Sequence, residues 1–343
     1  MTNMALQNKL VLIIANKTIE YFKSIEVNFD IKAITSNIII ELPYGEDYED
    51  IYKPFKFQSV SLEYNNKTVF LGVIENWQTV INENTYILQG RALTSVFCHK
   101  FTNIKNYIYK DTTIGNILNT ISGEYNIKVK LPLGDTDKLN TIYFNHNESF
   151  AYQIQNQISR TSIKGYVPLL SCDFEGNLVF GKNIEKLTEA NEVLNLDYDY
   201  NNIYDAKINY RGNLRKAKYT RYGQNEESTN IEFTISDSEM SRLNIIDSRY
   251  SIGKTIDELR NIASRDRAYD IMASNQIYIH YKSWLDKNNS LIDTGDIISL
   301  RISKKLIEDS TKFIIETLKL YYSNEIGFYS MFKLTPYNTF NVG

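Results

Sequence analysis

Alternating hydrophobic and polar residues dominate the first hundred positions, as they do in half-buried strands. Asn65-Asn66 is typical of a tight hairpin turn, because asparagine tolerates positive φ. Short strands that follow one another without helices indicate a β-sandwich or a β-barrel. The strands predicted here are 10–14, 18–29, 31–42, 56–64, 67–74 and 85–89.

The spacing changes near residue 100, where apolar residues recur every three or four positions. One helix is predicted from Thr112 to Gly123, and a second one follows Asn147. Between and after these helices, strands are predicted at 127–131, 166–173 and 178–182. The middle of the chain is therefore predicted to be mixed α/β.

A polar stretch at 183–200 predicts a junction before the C-terminal part. Thr255 and Glu258 then form a capping-box pattern, which starts a helix that ends near Ser274. Strands are predicted around this helix at 206–210, 216–222, 230–235, 276–281, 297–303, 311–322 and 328–334. The chain is thus predicted to be β-rich α+β, with two β-rich ends around an α/β middle.

The amino-acid composition supports this prediction and limits the classes of partner that we expect. The 343 residues include 26 Tyr and 16 Phe, and aromatic side chains favour strands. The net charge is −3, whereas nucleic-acid-binding proteins typically have a surplus of basic residues. The apolar run 10–15 is too short for a membrane span and has no signal-peptide cleavage pattern. We expect synthesis in the cytoplasm, no sequence-specific binding of nucleic acid and no membrane insertion.

A phosphate-binding loop is one candidate site. Gly176, Gly181 and Lys182 have the required spacing, but Asn183 stands where Ser or Thr would bind magnesium. The residues between the two glycines, Leu178, Val179 and Phe180, are typical of a strand. A β-hairpin explains this segment better than a nucleotide site.

Nucleophilic and metal sites are equally poorly supported. Cys98 and His99 are adjacent, and adjacent side chains on a strand point in different directions. His146, His280 and Cys172 are scattered, so no zinc-ligand spacing occurs and no disulfide framework is expected. We therefore predict no catalytic residue, no cofactor and no metal site.

Charged residues are predicted to be solvated rather than catalytic. An acidic loop contains Glu46, Asp47, Glu49 and Asp50. The helix that starts after Thr255 carries charges of both signs, which predicts ion pairs on an exposed face. These charged residues are Asp257, Glu258, Arg260, Arg265, Asp266, Arg267 and Asp270.

Two neighbouring segments resemble a known family. They read Phe70-Leu-Gly72-Val-Ile-Glu-Asn-Trp77 and Thr85-Tyr-Ile-Leu-Gln-Gly90-Arg91-Ala-Leu93. Further segments follow in the family's order: 111–123, 147–159, 173–178, Trp284, Asp293-Thr-Gly295-Asp296 and Leu334-Thr-Pro336. One departure is Ser283-Trp284, where the family usually has Gly-Trp. Over nearly its whole length, the chain resembles the baseplate hub proteins of contractile phage tails, the Mu-type hub or "late control protein D" group.

This resemblance implies two tail-tube-like β-barrel domains, 1–100 and 191–343, around a middle α/β domain at 101–190. The helix at about 255–274 would be inserted in the second barrel. It also implies a non-enzymatic trimeric ring in the baseplate of a phage or a phage-tail-like bacteriocin, which adapts a sixfold tail tube to a threefold spike. The implied partners are two further copies, the tube protein or tube initiator, the central spike and the baseplate wedge proteins.

Other functions remain open on the sequence. One is a cell-wall (peptidoglycan) hydrolase at the tail tip. Another is a carbohydrate-binding tail module, and a third is the hub part of a secretion-system spike. A cell-wall assay separates the hydrolase from a purely structural protein, and glycan binding tests the carbohydrate-binding module.

Overall fold

A computed structural model of the 343-residue chain describes residues 9–45, 55–99, 106–183, 192–195, 203–302 and 307–342. Within these ranges the chain forms three α-helices and 21 β-strands. The predicted β-rich α+β class is confirmed. The acidic loop at 46–50 and most of the predicted junction at 183–200 lie outside the described residues.

The N-terminal strands are β1 (Leu10–Ile14), β2 (Lys17–Ile19), β3 (Ser24–Asp30), β4 (Asn37–Pro43), β5 (Ser59–Tyr64), β6 (Lys67–Val80) and β7 (Thr85–Ala92). Asn65 and Asn66 have φ values of 51° and 61°, which confirms the predicted hairpin turn. The prediction of a single strand at 18–29 is wrong. This segment forms two strands, because β2 pairs with β1 whereas β3 pairs with β4. β4 also starts later than predicted, because the chain turns after Asp30.

The middle elements are β8 (Ile108–Thr112), α1 (Ile114–Gly123), β9 (Val129–Lys130), β10 (Leu139–Tyr143), α2 (Phe150–Ile158), β11 (Leu170–Cys172) and β12 (Leu178–Phe180). The side chains of Thr113 and Ser149 accept backbone N–H bonds at the starts of α1 and α2. The apolar faces of both helices, which include Ile117 and Ile154, pack into a hydrophobic core separate from that of the large sheet. The predicted mixed α/β character is confirmed.

The C-terminal elements are β13 (Glu192–Asn195), β14 (Ile203–Tyr210), β15 (Lys218–Gln224), β16 (Asn230–Ser236), β17 (Ile246–Tyr250), α3 (Ile256–Ser274), β18 (Asn275–Tyr281), β19 (Ile297–Ile302), β20 (Ile307–Ser323) and β21 (Gly327–Pro336). The predicted helix start at Thr255 is confirmed, because the Thr255 side chain accepts the N–H of Glu258. The Glu258 carboxylate accepts the N–H of Lys254, one residue before the position that a capping box uses. β13 and β17 have no predicted counterpart.

One large sheet joins the two ends of the chain. Its strand order is β14-β18-β21-β20-β3-β4-β7-β6-β5-β1-β2, and β19 and β13 branch from β20. The early part of β20 pairs with β19, and its residues 317–323 pair with β3, while β21 lies along its other side. The N-terminal and C-terminal strands therefore share one hydrogen-bonded ladder.

β20 changes partner at a β-bulge formed by Glu316, which is the extra residue between Ile315 and Thr317. The Glu316 carboxylate is 1% exposed and lies 2.7 Å from Lys32 Nζ and 2.8 Å from Lys333 Nζ. Lys333 Nζ also donates to the carbonyl of Met272 in α3. One buried carboxylate thus ties together the β3–β4 turn, β20, β21 and α3.

A smaller sheet, with the order β16-β15-β17, packs on α3 and does not join the large sheet. The inserted part is therefore larger than the predicted helix alone. At its centre, Arg221 is 1% exposed and donates to Asp247 (2.7 Å) and Asp266 (2.8 Å). All of its N–H groups point to carboxylates or carbonyls, which satisfies the buried guanidinium.

The prediction that α3 carries its ion pairs on an exposed face is wrong, because other elements pack on both sides of the helix. Asp266 pairs with Arg221 of the small sheet. On the other side, Arg265 is 8% exposed and donates to the carbonyl of Gln155 in α2. Asp257 and Arg260 form an intrahelical pair of the predicted kind, 3.1 Å apart.

Replacing the carboxylate at the bulge is expected to destabilise the protein strongly. The substitution Glu316→Ala leaves Lys32 and Lys333 without their buried partner, which costs about 3–5 kcal/mol in the free energy of unfolding. Lys319→Ala on the same strand breaks the more exposed pair with Glu26 and should cost about 0–1 kcal/mol. Urea unfolding followed by circular dichroism measures both. Equal losses for the two variants would contradict this assignment.

Acid is expected to weaken the small sheet through Asp247. Burial raises the pKa of this carboxyl, but hydrogen bonds from Arg249 and Arg221 outweigh it, so the pKa lies below its usual 3.8. The resulting stability is present above the unfolded-state value and is lost as pH falls through the lowered one. Asp247→Asn should therefore be less stable than the wild type at pH 7 and should lose less stability on acidification.

Urea unfolding at pH 7 and at about pH 2 checks this expectation, because stability is lost between the unfolded-state pKa and the lowered folded-state pKa. Asp257→Asn is the matched control, since its side chain is 81% exposed. If the wild type and Asp247→Asn lost equal stability between the two pH values, Asp247 would not contribute as described.

Candidate assembly face

The segment weighed as a phosphate loop forms a hairpin. Gly176 has a φ of 73° in the turn between β11 and β12, as the hairpin alternative predicts. Lys182 is 6% exposed and its Nζ lies 2.7 Å from Asp293. The Asn183 side chain binds the backbone of Val167 and Leu169. These polar groups are engaged in holding loops together and do not form a phosphate cradle.

Cys98 and His99 are neighbours at the end of a 3-10 helix, whereas Cys172 lies in β11, His280 in β18 and His146 in the loop before α2. Burial raises the pKa of Cys98 and raises that of Cys172 to about 11, so both thiols stay protonated at neutral pH. His146 stacks on Tyr107, and His280 lies parallel to the ring of Tyr329. Over the described ranges, no three His, Cys, Asp or Glu side chains are grouped as they would be around a metal ion. No helix there is long and apolar enough to span a bilayer.

The most extensive surface feature is one face of the large sheet. We define the assembly face as the open side of eight consecutive strands, β14-β18-β21-β20-β3-β4-β7-β6. The other side of these strands carries the main hydrophobic core. One cross-strand row on the open side runs through all eight strands, and none of its members is buried. Its successive partners are Asp205, His280, Met331, Lys319, Asn28, Asn37, Arg91 and Val73.

Two cations on the assembly face are paired with carboxylates within it. Lys319 Nζ lies 2.8 Å from Glu26 of the neighbouring strand, and Arg91 Nε lies 2.5 Å from Glu75. The Asn28 amide donates to both Glu26 and Asn37. Their pairing with carboxylates reduces the positive charge that these two cations offer to a polyanion.

Close strand packing explains the glycines in the segments that carry the family resemblance. A Cβ on Gly72 would lie 2.1 Å from the Arg91 carbonyl oxygen, and one on Gly90 would lie 2.7 Å from that of Val73. Both positions therefore require glycine where β6 and β7 approach each other. The Gly90-Arg91 pair thus has a structural role, with Arg91 bound to Glu75 across the same two strands.

The assembly face ends on two strands whose outer edges are unpaired within the described ranges. β14 pairs with β18 on one side. β6 is covered by β5 at residues 67–73, whereas its residues 75–80 pair with β7 alone. Sequence alternation located these strands as half-buried, but it contained no signal for which strand ends the face.

Comparison with solved structures shows the same fold in phage tail proteins. The 43 kDa tail protein of prophage MuSo2 from Shewanella oneidensis is 16% identical and has a TM-score of 0.80, over 97% of this chain and 100% of that one. A tail protein from Neisseria meningitidis is 14% identical and has a TM-score of 0.79, over 97% and 98%. No protein-family model matches the sequence, and no curated protein matches it.

A more distant likeness extends to secretion systems. An Escherichia coli type VI secretion component, described as structurally similar to T4 tail proteins gp27 and gp5, is 10% identical with a TM-score of 0.56. It is matched over 98% of this chain and 77% of that one. The chain therefore has the fold of phage tail and tail-like proteins.

Proposed function

We propose that this protein is a baseplate hub of a contractile phage tail or of a phage-tail-like bacteriocin particle. The observation that carries the proposal is the likeness to Mu-like prophage tail proteins along essentially the whole of both chains. In the proposed particle, three copies form a ring between the sixfold tail tube and the threefold central spike, with wedge proteins outside. Residues 1–100 and 191–343 would be the two tube-like units and residues 101–190 the middle domain.

The ladder between β3 and β20 supports a role as a symmetry adaptor. Two tube-like units in each of three chains would offer six positions to a sixfold tube, provided that the units hold a fixed mutual orientation. Residues 317–323 of β20 pair with all of β3, and the buried Glu316 cluster stands at the start of this ladder. Such a ring forms when each copy contacts the next through a head-to-tail interface and the repeated rotation brings the third copy back to the first.

The hub part of a secretion-system spike is the second candidate. It is favoured by the likeness to the Escherichia coli type VI secretion component. Because the two candidates share one architecture, both require the same trimeric ring. In either case we propose a structural, non-enzymatic role.

The purified chain is expected to form trimers. Light scattering at micromolar concentration should give three times the chain mass of 39.9 kDa, about 120 kDa. Negative-stain images of that species should show a ring with threefold symmetry, because a closed head-to-tail interface places all copies around one axis. A dimer built on a twofold axis would contradict the proposal.

A structural hub should also leave bacterial cell wall intact. In a zymogram on purified peptidoglycan, the chain is expected to produce no clearing, whereas lysozyme in the adjacent lane clears the gel. Clearing by this chain would favour the tail-tip hydrolase instead. A glycan-binding measurement on the same preparation tests the carbohydrate-binding alternative.

A further inference from the structure

We infer that the outer edge of β17 binds an extended segment of a partner protein that is apolar at its centre and acidic at both ends. The segment would add a fourth strand to the small sheet, which does not join the large sheet. This inference goes beyond the proposed structural role and does not depend on the trimeric ring. It uses three features of β17, which are its open backbone edge, its exposed apolar side chains and the unpaired cations beside it.

β17 has one paired edge and one open edge. Within the described ranges its strand partner is β15 alone, to which it runs parallel. The Ile245 carbonyl accepts an N–H bond from the start of β15, and the Ser251 N–H donates to a carbonyl of that strand. Because successive residues of a strand face its neighbour alternately, the backbone groups of Ile246, Ser248 and Tyr250 point outward. Open donors and acceptors of this kind are a template for strand addition.

Large apolar side chains lie along this edge and are exposed. Ile246 is 50% exposed, and Tyr250 is 84% exposed although its ring centre lies 5.6 Å from that of Tyr222 on β15. Ile252 and Ile256, which follow β17 in the chain, are each more than half exposed. Exposed apolar clusters mark interaction sites. Apolar residues of an added strand would cover Ile246 and Tyr250, because side chains of adjacent strands pack against each other.

The cations beside this edge have no carboxylate partner. Arg242 precedes the first residue of β17 by four positions, and Lys254 follows the last one by four. Lys218 lies opposite Ile246 in the register of β15 with β17. All three basic side chains are exposed, and none of them forms an ion pair with any other residue that the structure describes.

The carboxylates in and beside β17, by contrast, lie next to cations. The pairs are Asp247 with Arg221 and Arg249, Glu239 with Arg215, Asp257 with Arg260, and Glu258 with Arg160. The uncompensated charge at both ends of the strand is therefore positive. Acidic residues at both ends of a bound segment would complement this charge and would favour that partner over a basic one.

An anionic membrane is the alternative partner for a cluster of apolar and basic groups. The backbone of β17 argues against it, because outward N–H and C=O groups would lose their hydrogen bonds to water, and open sheet edges do not occur in lipid. A protein segment satisfies the same groups through main-chain hydrogen bonds. The open edge is therefore assigned to a protein strand.

Hydrogen exchange in the presence of a synthetic peptide tests this assignment. The probe is Glu-Glu-Val-Thr-Val-Thr-Val-Glu-Glu with blocked ends, and its counterpart has Lys in place of every Glu. The outward amides of Ile246, Ser248 and Tyr250 should exchange fast in the protein alone. With the acidic probe at ten times its dissociation constant, their exchange should slow about tenfold, because only the unbound state exchanges. Fluorescence anisotropy of labelled peptide measures that constant, and the lysine counterpart should leave the exchange unchanged.

Two variants separate the contribution of the backbone from that of the charges. Ser248→Pro removes one outward N–H without removing a bond to β15, so the slowing should be lost. Ser248→Ala is its matched control and should keep the slowing. Arg242→Glu combined with Lys254→Glu should transfer binding from the acidic peptide to the lysine counterpart. Circular dichroism checks the folding of each variant, and the charge reversal decides the test if Ser248→Pro does not fold.

Four results would overturn the inference. Two of them are unchanged exchange with the acidic probe at millimolar concentration and equal binding of the two peptides. The third is protection that rises with protein concentration in the absence of peptide, which would assign the edge to a second copy. The fourth is sedimentation with phosphatidylglycerol vesicles that persists in Ser248→Pro, which would assign the cluster to a membrane. Light scattering of the same samples reports on the trimeric ring separately, so failure of the peptide experiment leaves that proposal unaffected.

Discussion

The bulge at Glu316 is the constraint on which the rest of the architecture depends. A single strand, β20, pairs with β19 before this residue and with β3 after it, so the two ends of the chain meet there. The bulge leaves one extra residue whose backbone carbonyl accepts the N–H of Ile31, while its carboxylate is buried between two lysines. A buried carboxylate is tolerated only when it is paired. Because the change of strand partner buries Glu316, it requires Lys32 and Lys333 as the partners of this carboxylate.

A continuous polar face follows from this junction. Once β3 is added to β20, the N-terminal strands extend the sheet of the C-terminal strands, and their polar positions fall on the same side. Ion pairs such as Lys319 with Glu26 then cross between strands that are about 290 residues apart in sequence. The face is polar and carries charges of both signs.

The middle segment and the small sheet are attached through α3. Asn261 donates to the carbonyl of Arg160, and Arg265 to that of Gln155, so both reach backbone groups at or just beyond the C-terminal end of α2. On the opposite side, Asp266 and Asp270 bind Arg221 and Tyr219 of β15. The charges on α3 thus hold three parts of the chain together, although their spacing is equally typical of a solvated helix.

Local sequence determined the elements and their burial, because strand alternation, helical spacing and capping residues act over a few positions. Asn65-Asn66, Thr255 with Glu258 and the alternating strands of the N-terminal part fold as their patterns predict. The resemblance of the segments around Gly72 and Gly90 also led to the correct fold of phage tail proteins. Tertiary structure alone decided that β20 joins β3, that β15–β17 form a separate sheet and that charges of α3 such as Arg265 and Asp266 bind groups of neighbouring elements. Those outcomes depend on contacts between residues far apart in the chain, and no local pattern encodes which distant strand completes an edge or which distant carboxylate neutralises a buried arginine.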